Sequence, residues 1–382
     1  MTVGDSGPLV CVIGAGALGL SSALELARRG VGGVVAIEAR HVAAGSSGLS
    51  VGLVETQYLQ RLDIELRVRS MQAFTRLQRE YGLRVVRNGY LRLGHGEDAP
   101  AAFARSVEIQ RELGVGDARV LDRAQVARLV PDMRVDDVSA GLWGPSDGYL
   151  DGKLYCELLA ELAVAAGVKL RLDCELLTAQ QRDGGGLLLQ TSEGALECDV
   201  AVDAAGPWAG KVAELLGCQV ELIPQRRQAC EVKLTRELSY TMPSVVDYTP
   251  GSGLQGVYFR HESPGRLIAG LHSDEPLGGG VDPDDYARGA DEEFLEALAR
   301  ALSHRLPNLG DSWLGGGWAG LYPMSTDGRP LVGPALGCAS VIVVGGGGAG
   351  IQISPALGEL VADWVLHGEP RALAGAEVLA PG

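Results

Sequence analysis

Leu9-Val10-Cys11-Val12-Ile13-Gly14-Ala15-Gly16-Ala17-Leu18-Gly19 opens with five apolar residues and closes on a G-x-G-x-x-G spacing. A short apolar run that ends at glycine is what a strand buried on both faces of a parallel sheet requires. Ala17 to Arg29 then carries apolar residues at helical spacing, with Gly30 as a stop, and Val34-Val35-Ala36-Ile37 has strand character. The opening is therefore a βαβ unit. Missing side chains at Gly14 and Gly16 allow a tight turn, and they let a pyrophosphate rest on a helix N-terminus, where free N–H groups and the macrodipole favour anions. Glu38 ends the second strand, about 20 residues past the first glycine, where a carboxylate accepts hydrogen bonds from a ribose and disfavours a 2′-phosphate. The motif by itself does not separate NAD from FAD.

A second small-residue stretch, Gly45-Ser46-Ser47-Gly48-Leu49-Ser50-Val51-Gly52, follows shortly after Glu38. Its hydroxyls and amides suit phosphate oxygens, and its lack of bulk suits a flat ring lying on the backbone. A flexible loop has the same composition. The third stretch, Gly345-Gly346-Gly347-Gly348-Ala349-Gly350-Ile351-Gln352, leaves the apolar strand Val341–Val344 and leads through Ser354-Pro355 into a helix expected over 355–366. A linker seldom sits inside a packed βα unit, so this run is expected to aim amides at a ligand that gains negative charge.

The 382 residues exceed one ordinary core, which points to two lobes. The 55 glycines are dispersed, which excludes collagen-like repeats and suits tight turns around a nucleotide. Against 48 acidic residues there are 33 basic ones, a net −15 with no Lys/Arg run. Electrostatic capture of nucleic acid or of an anionic membrane is thereby disfavoured. Seven cysteines without a C-x-x-C pair fit reduced, buried thiols rather than disulfides or a metal site, and the expected compartment is the cytosol. Glycines interrupt the apolar Leu9–Leu20 stretch, so neither a signal peptide nor a membrane span is expected there.

Further along, amphipathic helices are expected over 63–81, 98–113, 151–166 and 284–303, with a short one within 120–130 and alternating strands across 220–275. The expected fold is α/β with two lobes. A dinucleotide-binding lobe comprises 1–85, 145–222 and 315–382, and a substrate lobe built on an antiparallel sheet comprises 86–144 and 223–314.

Glu38-Ala39-Arg40, the Gly45–Gly52 loop, Asp203-Ala204-Ala205-Gly206-Pro207-Trp208, Trp318-Ala319-Gly320-Leu321-Tyr322-Pro323, Asp327-Gly328-Arg329-Pro330 and Gly347–Gly358, taken in order, resemble the D-amino acid oxidase superfamily. Within it the similarity is greatest to glycine oxidase, sarcosine oxidase and the β-subunits of sarcosine oxidase and proline dehydrogenase, across roughly residues 9–368. The resemblance implies a flavin lobe of the p-hydroxybenzoate hydroxylase type with FAD extended across it. It implies that Gly14, Ala15, Gly16, Ala17, Leu18 and Gly19 serve the pyrophosphate and Glu38 the adenosine ribose. Ala39, Arg40, Gly45, Ser46, Ser47, Gly52 and Leu53 would neighbour other parts of the cofactor, as would Ala205, Gly206 and Trp208. The backbone of Leu176 would meet adenine, and Gly347 to Gln352 would line the pyrimidine edge of the flavin.

Departures from the family are equally informative. The cysteine that attaches flavin in monomeric sarcosine oxidase corresponds to Gly320, which implies a dissociable FAD. The arginine and lysine that grip the substrate carboxylate there correspond to Val54 and Gln352, and the lysine that assists oxygen corresponds to Ile268. Tyr258 matches a carboxylate-binding tyrosine and His272 an active-site histidine. With the usual cations missing, Arg260, Tyr258 and Tyr322 are the nearest donors for a carboxylate, although Arg260 also reads as a solvated cation on an edge strand. His272 reads either as a group that orients the amine or as a structural histidine. Glu55 beside a reacting nitrogen would hold it as an ammonium unable to release hydride, so it either points away or binds a distant polar group.

The implied activity is removal of hydride from the carbon next to an amine, giving an imine that water hydrolyses, with O2 reduced to H2O2. An N-substituted glycine or another secondary amino acid is the expected substrate, and the protein is a monomer or homo-oligomer. A dehydrogenase that passes electrons to a quinone or partner subunit, and a non-catalytic FAD-binding protein, are the alternatives.

Overall fold

Strand Leu9–Ile13 pairs in parallel with Gly33–Ile37 on one side and Val200–Asp203 on the other, and helix Ala17–Arg28 links the first two. In the computed structural model, which describes residues 7–248, 255–272 and 280–381, these strands form the centre of a six-stranded sheet. Lys169–Arg171 and Cys338–Gly345 extend it in parallel, and Leu331–Ala335 adds an antiparallel edge. Val10 and Val12 face one apolar cluster, under helices Ala17–Arg28, Gly152–Ala165 and Gly350–His367, while Cys11 and Ile13 face a second. Both faces are thus buried, which explains why the strand is apolar at every position rather than alternating.

An eight-stranded sheet forms the other layer. Its order is Ser312–Met324, Ile223–Leu234, Arg266–His272, Gly256–Ser263, Ser244–Asp247, Tyr90–Gly94, Ala140–Gly144, Arg119–Leu121. Neighbours are antiparallel except Ser244–Asp247 and Tyr90–Gly94. One face is apolar and carries Leu91, Leu93, Val257, Phe259, Leu267 and Ala269, packed with helix Glu292–Arg305. The alternate residues turn the other way, toward the six-stranded lobe. The α/β architecture with two lobes agrees with the sequence reading, with three local differences.

The last helix starts at Gly350 rather than 355 and runs through Pro355. Pro355 has no N–H for the carbonyl of Ile351, and the Ser354 hydroxyl donates to that carbonyl at 3.0 Å instead. The helix expected over 284–303 is Glu292–Arg305. Its expected first turns are irregular because Asp282 and Asp284 reach back to Lys211, Asp284 also accepts from the Trp208 indole, and Arg288 offers its carbonyl to Ala319. The lobe boundary at 315 falls inside strand Ser312–Met324, which pairs along its length with Ile223–Leu234. Among the described residues no helix is long and apolar enough to cross a membrane.

Candidate active site

Gly14 turns the chain out of the first strand with φ +109°, and a Cβ there would lie 2.6 Å from the Ala204 carbonyl oxygen, so only glycine fits. The Ala17 amide, in the first turn of the following helix, donates to Ser47 Oγ at 3.1 Å. Glu38 accepts from the Ala15 amide at 2.9 Å and the Arg40 amide at 3.0 Å, which holds its carboxylate at the strand's end. Ser46 Oγ donates to the Leu321 carbonyl at 2.5 Å and so ties the serine loop to the eight-stranded sheet. The Arg40 guanidinium lies 5.0 Å from the Trp208 ring centroid.

These groups line one continuous cavity of about 1620 Å³ between the two sheets. Small-molecule sites usually occupy ~300–1,000 Å³, so there is room for a dinucleotide together with a substrate. Cys174 and Leu176 stand at one end, and Tyr58, Tyr90, Arg92, Tyr248, Tyr258 and His272 at the other. Between them run Gly14, Gly16, Ala17, Leu18, Glu38, Ala39, Arg40, Gly45, Ser46, Ser47, Leu53, Ala205, Gly206, Trp208, Tyr322 and Gly347 to Gln352. Ala15, Gly19 and Gly52 do not reach the surface of the cavity; Ala15 contributes its amide to Glu38 from behind the wall. All three glycine-rich turns therefore meet on one space.

The family described as DAO, FAD dependent oxidoreductase, matches residues 10–364. The chain belongs to the DAO family. It is 28% identical to mouse mitochondrial sarcosine dehydrogenase over 96% of its own length and 41% of that protein. To rat mitochondrial dimethylglycine dehydrogenase it is 27% identical over 94% of the chain and 43% of that protein. The chain thus spans about two fifths of the length of these curated relatives. The solved structure of L-proline dehydrogenase from P. horikoshii superposes with a TM-score of 0.82 at 24% identity, covering 96% of this chain and 95% of that one, which shows a shared fold.

FAD, the cofactor of the DAO family, fits the donor set: a bare Gly-Ala-Gly turn at a helix start, an acidic residue at the second strand end, and small residues along the wall. Gly14 to Leu18 would hold its pyrophosphate, Glu38 its ribose and Gly347 to Gln352 its ring. Of the seven cysteines, all free and buried, Cys174 is the one on the cavity wall, at the end away from Tyr322 and Gly348.

At the substrate end, alternation along the sheet decides which side chains face inward. Tyr258 points into the cavity while Val257 and Phe259 enter the core, and its phenol lies across Gly270, where a Cβ would sit 2.3 Å from the hydroxyl. Tyr322 packs against Gly348, within the C-terminal glycine run. Burial raises both phenol pKa values, so each is a protonated O–H donor. His272 stacks edge-on against Tyr248 with centroids 4.2 Å apart. Its ring opens onto the cavity, yet desolvation by the surrounding protein, followed by the charges of Arg92 and Arg227, holds its pKa below the usual imidazole value.

Arg260 does not line the cavity, contrary to the expectation that it could grip a carboxylate. It is buried beneath the Val51 loop, where Nε donates to the Val51 carbonyl at 2.9 Å and Nη1 to Glu262, and its guanidinium stacks 3.9 Å from the Tyr149 centroid. It is also not the solvated cation that was the other reading. It shares a strand face with Tyr258, but two residues along the strand the loop closes over that face.

Glu55 is 2% exposed and lines the cavity. One oxygen accepts from the Gln57 amide and the other from Gln352 Nε2 at 3.2 Å, so the protein itself satisfies both. Burial raises its pKa against the opposing pull of Arg67 and Arg92. Gln352 in turn accepts from Arg67 Nε at 2.8 Å. The position that the family resemblance associates with a lysine thus carries an amide wedged between a carboxyl and a guanidinium.

Sequence reasoning missed Tyr58, Arg67, Arg92, Arg227 and Tyr248 on this wall. Two of them carried a signal. Arg92 interrupts Tyr90-Leu91-Arg92-Leu93 on a buried strand, and Arg67 falls between Ile64 and Ser70 on the buried stripe of helix Arg61–Tyr81. A buried cation in an apolar register needs a compensating partner, which is either a ligand or, as at Arg260, the protein itself.

Proposed function

We propose that this chain binds FAD without a covalent link and oxidises the C–N bond of an amino acid whose nitrogen is secondary or tertiary, an N-substituted glycine being the first choice. The observation that carries the reading is the single cavity that joins the three glycine-rich turns to an end walled by His272, Tyr258, Tyr322 and Arg92. The names of the relatives, sarcosine and dimethylglycine dehydrogenase, support N-methylated glycines as the substrate class.

Bound FAD would supply the two-electron acceptor for hydride from the carbon beside nitrogen. The chain's own part is positional and electrostatic. A neutral His272 can accept a hydrogen bond or proton from the substrate nitrogen, which keeps its lone pair free for imine formation. Glu55, with both oxygens already bonded to Gln57 and Gln352, is not placed to hold the nitrogen as an ammonium ion. Tyr258 and Tyr322 offer O–H donors to polar groups of the substrate. The seven buried thiols support a reducing, cytosolic setting.

For the acceptor, O2 is the first choice and a quinone or partner protein the second. The second reading gains from Ile268, an apolar residue at the position the resemblance associates with an oxygen-assisting lysine, and from the dehydrogenase names of the relatives. Anaerobic mixing of the FAD-loaded protein with glycine, sarcosine, dimethylglycine, proline, D-alanine and longer N-carboxymethyl amines should bleach the flavin band near ~450 nm with at least one N-substituted glycine. A flavin that stays oxidised with all of them would overturn the proposal. Peroxide formed in air then separates oxidase from dehydrogenase.

A further inference from the structure

Arg92 is 8% exposed and lines the cavity, and of the two buried cations on that wall among the described residues, Arg67 and Arg92, it is the one without a carboxylate within ion-pair distance. Leu91 and Leu93 on either side enter the core, so the strand's alternation commits Arg92 to the cavity. Its Nε donates to the Gln57 carbonyl at 2.8 Å, which fixes the guanidinium's orientation. Neither Nη has a hydrogen-bond partner among the described residues. A buried charge left in this state is strongly unfavourable unless something else compensates it.

The groups that face it offer little compensation. The Tyr58 ring centroid lies 5.1 Å from the Arg92 guanidinium and 3.3 Å from that of Arg67. Asp63 is engaged by Arg67 at 3.3 Å and is itself partly exposed. Glu55 is bonded to Gln57 and Gln352, and Tyr90 is a buried phenol with a raised pKa. Asp147 sits behind the wall on Gln57 and Thr56, its pKa raised by burial and by Glu55. The result is a rigid guanidinium with two free, parallel donors turned toward space large enough for a substrate, the arrangement that suits bidentate pairing with a carboxylate.

We propose that Arg92 is the carboxylate anchor of this site, so that the enzyme selects amines that bear an acid group and discriminates against their amides and esters. The inference rests on the amine-oxidoreductase reading for its turnover test, but not for its binding test. In the binding test, methylthioacetate and methylthioacetamide, in which sulfur replaces the oxidisable nitrogen, are titrated into FAD-loaded protein while the flavin spectrum is followed. Wild type should bind the acid at least 10-fold more tightly than the amide, R92M should abolish the difference, and R92K should restore part of it. In the turnover test, R92M should raise KM for an accepted amino acid ~100-fold with kcat within ~3-fold, and leave its methyl ester within ~3-fold.

Equal binding of acid and amide by wild type would overturn the assignment without any variant. So would an R92M protein that weakens acid and amide alike, because that marks a structural role through Gln57. If R92M does not fold, the wild-type preference together with its partial retention in R92K decides the matter. Acid-selective binding that depends on Arg92, with no amine able to reduce the flavin, would keep the anchor and remove the proposed reaction. Turnover of an amino acid that R92M leaves unchanged would do the reverse.

Discussion

Asp203 ends the central strand Val200–Asp203 fully buried, with Oδ1 accepting from the Ala205 amide at 3.1 Å and Oδ2 without a partner among the described residues. Burial raises its pKa from 3.8 to about 7. An unfolded aspartate releases its proton near 3.8 whereas the folded one keeps it to about 7, so this group removes stability as pH climbs between those values and no further above them. D203N keeps the acceptor and cannot ionise. Its melting temperature relative to wild type should therefore rise between pH 5 and pH 8 at equal flavin loading, and a constant difference would show that Asp203 does not titrate in the folded chain. Arg260 makes the complementary point about single residues. Strand alternation correctly places it on the face of Tyr258, yet only the covering Val51 loop decides that the face is closed at that point.

Pairs of strands, rather than single residues, set the shape of the substrate wall. Tyr258 lies opposite Gly270, and the missing side chain at Gly270 is what allows the phenol to lie over the neighbouring strand. G270A would place a methyl group 2.3 Å from the hydroxyl. The tyrosine can swing aside, so the protein should fold, but the phenol would leave the wall and kcat/KM should fall about 10-fold. Y258F should show a loss of similar size, and the double variant should be no worse than Y258F alone, because both changes remove one interaction. Additive losses in that cycle would mean that Gly270 acts on something other than Tyr258. Helix Gly350–His367 shows the limit of element-level reading. Proline usually marks a helix start, and what carries this helix through Pro355 is a single serine hydroxyl that takes over the orphaned carbonyl.

The cavity belongs to the whole molecule, since the turns that leave the six-stranded sheet line it together with Tyr90, Arg92, Tyr258, His272 and Tyr322 of the eight-stranded sheet. A ligand that binds all of them should stabilise the fold as a unit. At 100 times its dissociation constant the gain is about 2.7 kcal/mol, read as a single cooperative transition shifted upward by several degrees. No thiol stands near Tyr322 and Gly348, so acid precipitation should leave all the flavin in the supernatant. Yellow colour retained in the pellet would contradict a dissociable cofactor.

Leu9–Gly19 and Glu38 were enough to read the first βαβ unit and its phosphate turn, because these features depend on local sterics and on hydrophobic period, which neighbouring residues express directly. The order of the glycine-rich segments was legible for the same reason, whereas Tyr258 and His272 were placed at the site by the family resemblance and not by any local pattern. Which charges face the substrate was not legible. Arg67, Arg92 and Arg227 come from separate elements, and the inward aim of Arg92 and Arg227 follows from sheet register while that of Arg67 follows from the packing of helix Arg61–Tyr81. Register and burial arise from long-range packing, so a cation's role as an anchor or as a structural prop was decided only in the folded molecule.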